Sequence, residues 1–72
     1  MTNLRSLRHK YGISQAVVAG HSRLNCYTFG LVESGRLIPT PEQKLRIREA
    51  LRHLGVDADD IRELEVEDDE AK

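Results

Sequence analysis

Apolar residues in this chain recur at helical spacing and nowhere alternate. Leu4, Leu7 and Tyr11 stand three and four apart, and Gly12 follows as a C-terminal stop. Ser14 is placed to cap a second helix over QAVVAGH, with Val18 and Ala19 facing inward. Asn25 is suited to cap a third, CYTFGLVES, which Gly35 ends; Phe29 and Val32 share one face, Tyr27 and Leu31 another. The clearest start is Thr40-Pro41-Glu42-Gln43, which combines an N-cap, a proline at the first helical position and a Gln three residues after the cap. The helix it opens carries Leu45, Ile47, Leu51 and Leu54, and Gly55 closes it. Asp57 caps a last short helix, DDIRELE, packing Ile61 and Leu64. The pattern predicts an all-α domain of five short helices over residues 1–64. A disordered acidic tail is predicted over 65–72, where EVEDDEAK has too little apolar content to fold.

Composition narrows this picture. Seventy-two residues make one small domain with a small core, and 39% hydrophobic with 32% charged residues is ordinary for a soluble chain. No apolar run approaches the roughly 18 residues of a membrane span. The start, MTNLRSLRHKYG, has no apolar stretch of a signal peptide behind it. The single cysteine, Cys26, excludes an internal disulfide and fits a reducing cytoplasm. The net charge of −1 hides a strong asymmetry. Residues 1–56 carry nine basic and three acidic groups, +6; residues 57–72 carry nine acidic and two basic groups, −7. The first part invites a polyanion, and the acidic end either opposes or regulates that contact or serves solubility.

The order LRSLRHKYGISQ, VVAG, LVESGR and PTPEQ resembles the lambda-repressor-like, or XRE-type, helix-turn-helix family, without a gap from Leu4 to Leu51. Gly12-Ile13-Ser14-Gln15, Val32-Glu33-Ser34-Gly35 and Pro39 are its most specific fragments; each is weak alone, and their joint spacing is strong. The resemblance implies a third helix in the major groove of DNA and a core at Leu4, Leu7, Val18, Ala19, Leu24, Phe29, Val32, Ile47 and Leu51. It also places Arg8 and Glu33 where the family often ties its first helix to the end of its third. Two positions depart from the pattern. The turn between the second and third helices usually holds a glycine at positive φ, where this chain has Arg23, and Ser22 takes an apolar site before it. Gly20 is expected to shorten the second helix and absorb part of that change.

The resemblance implies base-facing positions at Cys26, Tyr27, Thr28 and Leu31 on a helix spanning 25–34, with Gly30 beside them. These supply a thiol, a phenol, a hydroxyl and a leucine, few of the bidentate groups that match base edges. Phosphate contacts are expected from Gln15, Arg23, Asn25 and Arg36. The expected function is a sequence-specific regulator, a repressor of bacterial or phage origin, binding operator DNA as a homodimer through the fourth and fifth helices around Leu54, Val56, Ile61 and Leu64. A second reading stays open: a protein-interaction module on the same fold, an antirepressor or a regulator's partner, using the apolar face of Tyr27 and Leu31 and the acidic tail. His9, His21, His53 and Cys26 lack ligand spacing, so neither metal nor cofactor is expected, and no nucleophile–base pair or phosphate loop points to an enzyme. Cys26 near a helix start reads as either a redox-sensitive thiol or an inert small side chain. Arg46, Arg48 and Arg52 read as either a phosphate-facing edge or a solvated face.

Overall fold

The computed structural model describes residues 3–64, which form five helices and no strand. They are α1 (Leu4–Tyr11), α2 (Gln15–His21), α3 (Cys26–Glu33), α4 (Pro41–His53) and α5 (Ala58–Arg62). The expectation of a disordered tail over 65–72 lies outside the described residues. Each of the four expected N-caps works. The side chains of Ser14, Asn25, Thr40 and Asp57 accept from the amides of Val17, Thr28, Gln43 and Asp59, and Thr40–Gln43 is a reciprocal capping box. The core gathers Leu4, Leu7, Val18, Ala19, Phe29, Val32, Ile47, Ala50, Leu51, Val56 and Leu64, with Leu24 packed against it half-buried. α2 packs against both α3 and α4, and α5 against α4.

Leu45 does not join this core; it is 56% exposed. A helix turns about 100° per residue, so Leu45, two positions before Ile47, faces away from the stripe that Ile47, Ala50, Leu51 and Leu54 make. Val56 and Leu64, expected at a dimer surface, are each only 4% exposed because the core of the single chain already uses them.

Four helices end in the same hydrogen-bonded closure, in which one residue in the left-handed region turns the chain and the next one's amide reaches back. Ile13 donates to Arg8, Leu24 to Ala19, Arg36 to Leu31 and Val56 to Leu51. The turning residue is Gly12, Gly35 or Gly55 in three of them, and Arg23, at φ 60, in the fourth. Gly20 therefore does not shorten α2, which runs through it to His21. The turn keeps its geometry because Leu24 docks on the core and two closing bonds form, Arg23 N–H to Gly20 and Leu24 N–H to Ala19, at 3.2 and 3.0 Å. Ser22 fills its apolar site with no exposure by donating its hydroxyl to the Val18 carbonyl at 2.7 Å.

α5 is latched to α1 by polar contacts. The Tyr11 hydroxyl donates to Asp60 at 2.5 Å and accepts from the Asp57 amide at 3.1 Å, while Lys10 reaches the same Asp60 carboxylate at 3.1 Å. The Tyr11 and then the Lys10 bond hold the Asp60 carboxyl below its ordinary 3.8, and Asp60 raises Lys10 and Tyr11 above their ordinary 10.5 and 10.0.

Two outcomes follow from these local geometries. Arg23→Gly removes the left-handed penalty on a side chain, about 1 kcal/mol, and is expected to raise the denaturation midpoint with the fold unchanged. The latch stabilises above the unfolded carboxylate pKa and is lost in acid as pH falls through the lowered folded pKa of Asp60. At the alkaline end it is lost as pH rises through the raised values of Tyr11 and Lys10. Asp60→Asn is expected to lower Tm at neutral pH and to match the natural chain once Asp60 is protonated; melting curves across the acid range check it.

Candidate nucleic-acid interface

The α2–turn–α3 unit is fastened by one carboxylate. Glu33, at the end of α3, lies 2.8 Å from the Arg8 guanidinium through one oxygen and accepts from the Gln15 side-chain amide at 3.0 Å through the other. Arg8 also donates to the Ile13 carbonyl at 3.0 Å. Both members of the ion pair are buried, at 10% and 5% side-chain exposure. Three helices thus converge on Glu33: α1 through Arg8, α2 through Gln15 and α3 itself. Arg8 and Glu33 form the expected pair. Gln15 commits one of its amide hydrogens to Glu33, and its oxygen faces the Cys26 thiol at 3.9 Å.

The outward face of α3 is less uniform than its sequence. Tyr27 is 76% exposed, and Cys26 is exposed as a free thiol, whereas Thr28 and Leu31 are half-buried. The Leu31 carbonyl receives the Arg36 and Leu37 amides, which turns the chain just past α3. The apolar pair expected from Tyr27 and Leu31 is in effect one exposed aromatic ring. Asn25 uses its side-chain oxygen on the Thr28 amide at 2.7 Å, so only its NH₂ end points onward as a donor. Arg23 and Arg36 are exposed at the two ends of α3, in the left-handed turn before it and just past Gly35.

Gly30 has no role in the fold that an alanine would fail. It sits within α3, not at positive φ, and a Cβ built on it would meet only the Gln15 side chain, at 3.7 and 3.9 Å, ordinary contact distances. A glycine inside a helix costs up to about 1 kcal/mol relative to alanine. Its place is a shallow depression of about 220 Å³ lined by Arg5, Gln15, Gly30, Glu33 and Ser34. Arg5 is the functional candidate that sequence reasoning missed. Its signal was its spacing, three residues before Arg8 on the same helix face. Val17, Leu37 and Ile38 were also missed as exposed apolar side chains, at 43%, 36% and 57%. Among the described residues no His, Cys, Asp and Glu cluster is arranged to hold a metal, and no helix is long and apolar enough to cross a membrane.

A short all-helical domain whose second and third helices are joined by a tight turn, with an exposed third helix flanked by arginines, defines a helix-turn-helix protein. A family model described as a helix-turn-helix domain matches residues 2–64. The chain belongs to that family, within the XRE or lambda-repressor-like group. No curated protein and no solved structure matches it significantly. Membership makes the chain a DNA-binding regulator in general, and the family is of a non-enzymatic regulator type.

Arg8→Ala and Glu33→Ala are each expected to lower stability by about 3–5 kcal/mol, since either leaves a buried charge unpaired. The double variant is expected to lose less than the two losses added together. Chemical denaturation of the four proteins checks this, and strict additivity refutes the coupling.

Proposed function

We propose that this chain is a sequence-reading transcriptional repressor, of bacterial or phage origin, that works in the cytoplasm by laying α3 in the major groove of operator DNA. The single observation that carries this reading is Gly30. A helix-weakening residue that the fold does not require, on the outward side of a firmly fastened α3 and beside Gln15, has its use in the close approach of another molecule's backbone or base. Arg23 and Arg36 supply phosphate contacts at the ends of α3, with Asn25, Gln15 and Arg5 between them. Tyr27 is the main base-reading side chain, with Cys26, Thr28 and Leu31 at the edges of the contact. So few polar groups read bases that sequence choice rests partly on DNA shape.

One such module covers too few base pairs for useful specificity. The reading therefore includes a homodimer on half-sites about 34 Å apart. With Val56 and Leu64 taken into the core, its surface on α4 and α5 reduces to Leu54 and Ile61 of the four residues expected there. A second reading, a protein-interaction module on the same fold, is favoured by the exposed apolar side chains of Tyr27, Val17, Leu37 and Ile38.

A salt-dependent titration against DNA flanking the chain's own coding region tests both. Binding is expected to weaken steeply with salt; none even at low salt turns the assignment to the interaction module. Arg36→Ala is expected to weaken all sequences alike and flatten the log–log salt slope by about 0.9. Tyr27→Ala is expected to cost about 1–3 kcal/mol and relax sequence preference. Gly30→Ala is expected to stabilise the fold by up to about 1 kcal/mol while lowering operator affinity. Unchanged affinity in Gly30→Ala removes the observation on which the reading stands.

A further inference from the structure

The outer faces of α4 and α5 meet in an open cleft of about 300 Å³ on an apolar floor of Leu45, Ala58 and Ile61. Arg48, Arg52 and Arg62 line it, against one carboxylate, Glu49. Arg48 and Arg52 stand four apart on one face of α4 and make no ion pair among the described residues, whereas Arg62 pairs with Asp59. An exposed leucine beneath unpaired guanidinium groups selects an occupant that brings carboxylates and an apolar side chain together. A second copy related by a two-fold axis through the cleft brings Arg48 and Arg52 against their own counterparts, which like-charge repulsion opposes.

The chain itself carries a segment of the required chemistry at the required place. Ile61 and Arg62 form one wall of the cleft, and the chain passes from them through Leu64 into Glu65-Val66-Glu67-Asp68-Asp69-Glu70, five carboxylates around one valine. Six residues reach up to about 20 Å when extended, and α4 rises only about 10 Å between Leu45 and Arg52. A tethered segment meets its site at an effective concentration in the millimolar range. We propose that the α4–α5 cleft takes the chain's own acidic segment, residues 65–70, its carboxylates on Arg48 and Arg52 and Val66 over Leu45. Occupied in this way, α4 loses its free positive edge and its exposed leucine.

A nitroxide spin label on the full chain, placed by Ala71→Cys in a Cys26→Ser background, tests this without DNA, so its outcome is independent of the operator reading. The expected result is loss of the amide signals of Leu45, Arg48 and Ala58 in nitrogen-15 spectra at ~0.1 M salt, with recovery at ~1 M, where the Debye length falls to about 3 Å. Arg48→Glu with Arg52→Glu is expected to restore the signals. The set Glu65→Gln, Glu67→Gln, Asp68→Asn, Asp69→Asn and Glu70→Gln is expected to do the same while leaving the helical domain untouched. Signal loss that survives both charge changes reflects mere nearness and overturns the proposal. So does loss centred on Tyr27 and Thr28. Loss that appears only when labelled and isotope-enriched chains are mixed assigns the cleft to a second copy's segment, and that too overturns it.

Discussion

The position of α3 depends on the carboxylate of Glu33. An eight-residue helix has little stability of its own, so its placement comes from what holds it. Phe29 and Val32 fix its inner face in the core, and Glu33 fixes its end to Arg8 of α1 and Gln15 of α2. The arrangement is not stabilising in any simple sense. Desolvating two charges is expensive, and Arg8 Nε is buried with no hydrogen-bond partner among the described residues. What the pair provides is geometry: a charged fork admits one relative orientation of three helices, where greasy contacts admit several. A helix meant to present its outer face to a partner needs that single orientation.

The turn before α3 shows how far geometry survives a change of residue. Gly12, Gly35 and Gly55 close three helices by the same pair of backward hydrogen bonds that Arg23 closes for α2. A left-handed arginine costs about 1–2 kcal/mol, and two hydrogen bonds together with the docking of Leu24 offset it. The departure from glycine thus lowers stability without moving α3. It also sets a permanent positive charge at the start of that helix, where a glycine carries none. Ser22 follows the same logic: its hydroxyl is turned onto a helix carbonyl, so a polar residue fills an apolar site.

Local signals in the sequence were read correctly because they act over three or four residues. Ser14, Asn25, Thr40 and Asp57 cap as their types and positions indicate, and the glycine stops fall where the periodicity ends. What was missed depends on contacts between distant residues. The Gln15–Glu33 bond spans 18 positions and the Tyr11–Asp60 bond 49; neither leaves a mark in local spacing. Val56 and Leu64 were assigned to a dimer surface because periodicity finds an apolar residue but not whether its own chain covers it. The Arg8–Glu33 pair was legible only through the resemblance.

α3 has no guanidinium on its outer face and one at each end. In the proposed reading this divides the work physically. Phosphate attraction at Arg23 and Arg36 is long-ranged and indifferent to sequence, so it sets orientation and affinity. Between them Tyr27 offers one hydroxyl and a flat ring, and Gly30 offers the absence of a side chain. A surface built by removing bulk discriminates by how closely the duplex approaches, which varies with groove width and local stiffness rather than with a base's donor pattern. Such a surface works only if its helix cannot yield when the duplex comes near, and in this reading the buried Arg8–Glu33 pair is what holds α3 in place.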